Sequence, residues 1–150
     1  MTLRPVILAL FALAACAAQA ATPSIEIRAG TVDLGALGST TYGGLGLRYR
    51  LDQTWAVYGD IDSTVSSTGA ADARFNRFGG GVEVGKGEDD FRVNLRLGFV
   101  YTDGEVFGLP VSDTSASYGV DFRFKRLGFG FSQSKFNDQT VNSTSLAFYF

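Results

Sequence analysis

The chain contains no histidine, a single cysteine and only three prolines. Without histidine there is no Ser-His-Asp or Cys-His catalytic group, no His-ligated zinc and no proximal ligand for haem. Cys16 alone supports no internal disulfide, no CxxC redox pair and no Cys-rich metal site. A dominant charge sign is missing too. The 13 basic and 15 acidic residues sum to −2, which leaves no electrostatic footprint for nucleic acid. No cofactor is expected. After Thr22 no apolar run approaches the roughly 20 residues that a membrane helix needs, and no segment sustains a 3.6-residue period. What the chain does have is glycine, 19 in 150 residues, nearly twice the usual share of about 7%. It also has 13 Phe and 6 Tyr, too many aromatics for a disordered chain. A length of 150 residues suits one domain.

Residues 1–20 are expected to form an export signal. Arg4 supplies the basic start, residues 6–15 are an apolar run, and Ala18-Gln19-Ala20 fits the small-x-small pattern before cleavage. A rival reading lies inside it. Leu13-Ala14-Ala15-Cys16 resembles the bacterial lipobox, in which the cysteine is acylated; on the plain reading Cys16 leaves with the peptide. Either way the chain leaves the cytoplasm, and residues 21–150 make the folded domain.

Period-two alternation recurs along that domain, the signature of strands with two unlike faces. In residues 91–101, Phe91, Val93, Leu95, Leu97, Phe99 and Tyr101 share one face, opposite Arg92, Asn94, Arg96, Gly98 and Val100. The same pattern places Leu45, Leu47, Tyr49 and Leu51 opposite Gly44, Gly46, Arg48 and Arg50. Counterparts surround Trp55, Phe78, Tyr118 and Leu127, with weaker ones at Ile25 and Leu146. Eight strands result. Short turns are expected at 52–54, 85–90 and 125–126. Long loops rich in Gly, Ser, Thr, Asp and Asn are expected near 32–40, 63–72, 102–115 and 134–140. If Leu51 faces Trp55, Arg48 faces Tyr58 and Gly46 faces Asp60; if Val84 faces Phe91, Glu83 faces Arg92 and Gly79 faces Arg96.

Alternation alone does not say which face is inside. A soluble lipocalin-type barrel turns its apolar face inward around a ligand, and a membrane barrel turns it outward. The apolar face here is too bulky for the interior of an eight-stranded barrel, which side chains already fill. The second face is rich in glycine, which makes room in a narrow lumen. Every charge assigned to a strand lies on that second face: Glu26, Arg28, Arg48, Arg50, Asp60, Asp62, Arg77, Glu83, Arg92, Arg96, Asp121, Arg123 and Lys125. The apolar face therefore points to lipid, where an Arg or Lys at the midplane costs roughly 2–4 kcal/mol. A spanning sheet must also close on itself, because lipid leaves a free edge unsatisfied. The expected fold is all-β, an eight-stranded antiparallel up-and-down transmembrane β-barrel.

At this point the chain resembles the small eight-stranded outer-membrane barrels of Gram-negative bacteria, the OmpA/OmpX-type group, over residues 22–150. Its end, Ser143-Thr-Ser-Leu-Ala-Phe-Tyr-Phe150, is similar to the terminal signal read by the barrel-assembly machinery. Ser143, Phe148 and Phe150 match that signal, while Ser145 stands where glycine is usual. The resemblance implies the cell outer membrane as location, with the N-terminus and the short turns in the periplasm and the long loops outside. It implies lipid, lipopolysaccharide and the assembly machinery as partners, and outward loops as contacts for extracellular partners. It does not name an activity, because this barrel hosts unrelated functions.

Local candidates for chemistry are weak. Some barrels of this size class are lipid A acyltransferases or deacylases, but those families rely on a histidine that this chain lacks. Ser134-Lys135 is the one local dyad, and adjacent strand residues point to opposite faces. Asp60 and Asp62 share a face and could hold a hard cation, or pair with arginine. Glu88-Asp89-Asp90 is a solvated turn, Asn142-Ser-Thr144 only matches a glycosylation triplet, and Gly43-Gly44-Leu-Gly46 lacks the helix a phosphate loop requires. The expectation is a non-enzymatic barrel with a structural or interaction role, its lumen plugged by the charge network. A narrow pore for small solutes and a lipid-anchored lipocalin-like carrier are the alternatives.

Overall fold

The computed structural model describes residues 22–35, 38–68, 73–88, 90–136 and 139–150. The expected export signal and Cys16 lie outside these residues. The chain forms eight strands: β1 (Thr22–Asp33), β2 (Ser39–Arg50), β3 (Trp55–Thr68), β4 (Ala73–Gly87), β5 (Phe91–Val106), β6 (Leu109–Phe124), β7 (Leu127–Phe136) and β8 (Gln139–Tyr149). Each pairs with its sequence neighbour, and β1 pairs antiparallel with β8, so the sheet closes. This is the eight-stranded antiparallel up-and-down transmembrane barrel that the alternation predicts.

The end that carries both strand termini has tight turns. In the β2–β3 turn, Asp52 Oδ1 accepts the Thr54 and Trp55 amides at 2.6 and 2.7 Å. The β6–β7 turn is Lys125-Arg126, with Lys125 at φ 52°. Lys125 is therefore exposed in a turn and does not point into the lumen as expected, because β6 ends one residue earlier.

Pairing of β2 with β3 follows the expected register, Arg48 against Tyr58 and Gly46 against Asp60. The β4–β5 register does not. Glu83 faces Arg96, Gly79 faces Val100 and Gly87 faces Arg92, because β4 runs on to Gly87 and tightens the turn. This shifts the pairing by four residues.

The far end departs from expectation most. Three of the four predicted long loops are largely strand: residues 63–68 belong to β3, 102–106 and 109–115 to β5 and β6, and 134–136 to β7. The fourth, 32–40, is shortened at both ends. The β5–β6 hairpin closes on two residues, Phe107 and Gly108, both with positive φ (54° and 73°). Beyond Ser117, β6 has no ladder with β7, so this hairpin stands above its neighbour.

Polarity explains both the barrel and the missed strands. Along residues 91–101 the apolar face is outward, with Leu95 55% and Phe99 67% exposed. Eleven residues match the roughly 9–11 that cross hydrocarbon when tilted. Past that belt the arrangement inverts. Asp33, Arg74, Asp103, Glu105 and Lys135 now lie outward and exposed. Val32, Leu34, Tyr42, Ala73, Phe75, Val106, Phe136 and Val141 turn inward and form the molecule's buried hydrophobic cluster. The absence of charge from the outward face thus holds for the belt and not for whole strands. An apolar interior under a wet exterior is how a soluble barrel folds, so the strands continue once the bilayer ends.

Candidate functional site: the charged lumen

Below the apolar cluster the lumen is filled by charge. Six strands supply it: Glu26 and Arg28 from β1, Arg48 from β2, Asp60 and Asp62 from β3, Arg77 and Glu83 from β4, Arg92 and Arg96 from β5, Asp121 and Arg123 from β6. The wall made by β7 and β8 is small instead, with Gly128, Gly130, Ser132, Ser143, Ser145 and Ala147 inward and Tyr149 as the large residue at its end. Long side chains from the other strands need that space. A Cβ on Gly130 would strike the Asp121 carboxylate that β6 sends against this wall.

The pairs converge on two centres. In the first, Arg28 grips Asp62 through two bonds, Nε–Oδ1 at 2.7 Å and Nη2–Oδ2 at 2.5 Å, and reaches Asp60 at 2.9 Å. Arg96 meets the same Asp60 oxygen at 2.6 Å and Asp121 at 3.4 Å, and its guanidinium lies 3.8 Å from the Tyr58 ring centre. In the second, Nη2 of Arg48 is shared by Glu83 at 2.9 Å and by Glu26 and Asp121 at 3.4 Å. Arg48 and Arg123 flank the Tyr149 ring at 4.9 and 4.3 Å. Charges with several partners each satisfy the demand that buried ions be paired.

The remaining residues lie at the edges of this network. Arg77 donates to Ser143 at 3.2 Å, just below the apolar cluster. Arg92 donates to Asn94 at 2.7 Å and to the Thr54 carbonyl at 3.4 Å. Arg123 donates to the Lys125 carbonyl at 2.9 Å, and Arg50 is half-buried at the end of β2. Asp60 and Asp62 are held by arginine, and no cluster of three or more potential metal ligands occurs among the described residues.

Ser134 is buried while Lys135 is exposed, so they form no dyad. At the C-terminus Ser143 faces the lumen, and Phe148 and Phe150 stack outward with centroids 5.0 Å apart. Four members of the network carry no charge to mark them in the sequence: Tyr42, Tyr58, Tyr149 and Asn94. They share the strand parity of the charged residues, and that parity is the signal that finds them.

The space left is small. A cavity of about 40 Å³ lies among Arg28, Tyr42, Asp60, Arg77, Arg96 and Asp121. A few waters fit, since one needs about 10–15 Å³.

No protein-family model matches the sequence, and no curated protein matches it. Solved structures do. The N-terminal barrel domain of Pseudomonas aeruginosa OprF superposes with TM-score 0.62 at 12% identity, covering 87% of this chain and 99% of that one. The chain has the fold of the small eight-stranded outer-membrane barrels. Ail, the attachment invasion locus protein of Yersinia pestis, gives TM-score 0.53 at 19% identity, covering 87% and 97% of the two chains. The outer-membrane enzyme PagL gives 0.55 at 11%, covering 85% and 98%. An enzyme and an attachment protein on one barrel make the point that the fold does not carry the function.

Proposed function

We propose that this is a non-enzymatic outer-membrane barrel protein, exported by residues 1–20, whose lumen is closed and whose work is done by its surfaces. The observation that supports it is the filled lumen: five carboxylates and the arginines that pair with them occupy the width of the barrel. Against enzyme function stand the missing histidine and the split Ser134-Lys135 pair. The carrier alternative needs an apolar ligand cavity. The apolar interior that does exist is confined to the far end and packed, with about 10 Å³ left where Val32, Tyr42 and Phe75 meet Asp62 and Arg77.

Outer-membrane lipid and lipopolysaccharide meet the apolar belt, and the projecting β5–β6 hairpin is the surface offered to extracellular partners. The long loops expected to play that part are mostly strand. Ail has been solved with the heparin analogue sucrose octasulfate. Here the outward charges of the far end are Asp33, Asp103 and Glu105 against Arg74 and Lys135, which does not favour an anionic sugar.

Two measurements test the reading. Cell fractions should place the protein in the outer membrane, migrating differently on a gel when unboiled. In a planar bilayer the purified protein should give no regular conductance steps. Reproducible steps would replace the closed lumen with the narrow pore.

A further inference from the structure

We propose that the lumen is closed twice, and that the apolar cluster at the far end excludes ions by itself, without help from the charge network. The proposal rests on the closed-lumen reading above and adds which residues make the seal.

The cluster spans the bore. Val32, Tyr42, Phe75, Val106, Val111, Phe136 and Val141 come from β1, β2, β4, β5, β6, β7 and β8, seven of the eight strands. The remaining strand joins through Thr64 of β3, whose Oγ1 accepts the Phe75 amide at 2.9 Å. Phe75 and Phe136 reach across from strands three apart and meet edge to face, with centroids 5.3 Å apart and planes at 73°. Phe75 is 5% and Phe136 8% exposed, although both stand at the wet end of the barrel. The 10 Å³ beside Phe75 is at the lower limit for one water.

The region below differs in kind. The charge network holds the 40 Å³ cavity, and three of its buried polar atoms, Arg48 Nε, Asp60 Oδ1 and Asn94 Nδ2, have neither a hydrogen-bond nor an ion-pair partner among the described residues. A polar site of that size can take up water, so loosening its ion pairs creates a wet vestibule. Asp62 and Arg77 line the network side of the space beside Phe75 and are the last charges on the way out. Beyond them an ion must cross the Val32, Phe75, Val106, Phe136 and Val141 cluster, which offers no charge to pair it, and burying an unpaired charge is prohibitive. Hydrophobic constrictions stop ions by dewetting, even where some side-chain motion occurs. Breaking the salt bridges alone therefore opens nothing.

The test is planar-bilayer conductance on purified, refolded protein, with folding of each variant verified by the unboiled gel shift. Wild type and the Arg28→Gln/Arg96→Gln variant should both be silent. Adding Phe75→Ser and Phe136→Ser to that variant should produce reproducible steps. Steps from wild type would strike the closed-lumen reading itself. A silent wild type with steps from Arg28→Gln/Arg96→Gln would leave that reading standing and overturn the second seal, as would silence of the fourfold variant. If the fourfold variant does not refold, Phe136→Ala in the Arg28→Gln/Arg96→Gln background takes its place with the same two outcomes. If Arg28→Gln/Arg96→Gln itself does not refold, Asp60→Asn and Asp62→Asn are added to relieve the stranded carboxylates.

Discussion

Leu95 and Asp103 stand on the same outward face of β5, eight residues apart, and they meet different solvents. Leu95 is flanked outward by Val93 and Leu97, in the middle of the belt, whereas Asp103 lies two residues past Tyr101, where exposed charge begins. Leu95→Arg should cost roughly 2–4 kcal/mol, the price of a cation at the bilayer midplane. Asp103→Arg should stay within about 0.5 kcal/mol, as for an ordinary surface change. Urea titration of both variants in lipid vesicles measures the difference, and equal losses would refute the belt boundary drawn between Tyr101 and Asp103. A second single-residue prediction concerns Asp52. Two backbone amides hold its carboxyl below the ordinary value of 3.8, chiefly Trp55 and then Thr54. A depressed folded value means the turn's support is complete above pH 3.8 and fades as pH falls through that lower value. The amide resonances of Thr54 and Trp55 should accordingly titrate with a midpoint below 3.8. A midpoint at or above it would mean that the turn hydrogen bonds do not persist in solution.

The strands show where sequence patterning works and where it stops. Between residues 91 and 101 one periodicity and one polarity run together, so β5 was recognisable from its side chains. Past Tyr101 the period of two continues, but the apolar residues change parity: Thr102, Gly104 and Val106 are inward, Asp103 and Glu105 outward. A search for apolar residues in lipid-facing register reads that inversion as the end of a strand. Phe75, Phe136 and Val141 escape it for the same reason. Within the lumen, charge marked the residues that meet at Asp60 and Arg48. It could not mark Tyr58 or Tyr149, whose rings receive the guanidiniums. Nor could the β4–β5 register be guessed, because turn length is not encoded in alternation. The hairpin tip carries a local conflict of its own. Phe107 adopts φ 54° at a position where a two-residue turn favours Asn or Gly, and its side chain is largely exposed. Phe107→Asn should stabilise the hairpin by about 1 kcal/mol, the cost of a left-handed conformation for a side chain with no local hydrogen bond. A lowered unfolding midpoint would show instead that the ring is held by packing.

Closure belongs to the whole chain, since the ladder from Glu26 to Asp33 joins β1 to β8 and cannot form until the last strand is in place. Phe150 sits at that seam. Its amide donates to the Ile25 carbonyl at 2.9 Å, its ring rests on Phe148, and it is otherwise exposed. In the finished barrel it contributes one hydrogen bond and one outward aromatic, so its removal should hardly change the urea midpoint or the unboiled gel shift of protein refolded in vitro. During synthesis its position is different: if the terminal Ser143, Phe148 and Phe150 pattern is read by the assembly machinery, the signal is lost before closure begins. Deleting Phe150 should therefore lower the amount reaching the outer membrane and leave unfolded protein in the periplasm. Phe99→Ser is the control, because it removes an equally exposed lipid-facing ring from the middle of a strand that carries no such signal. The two variants should part company in cells, the deletion accumulating outside the membrane and the substitution reaching it. If both reach the membrane at wild-type levels, Phe150 is only a belt residue and the terminal signal has no role in this protein.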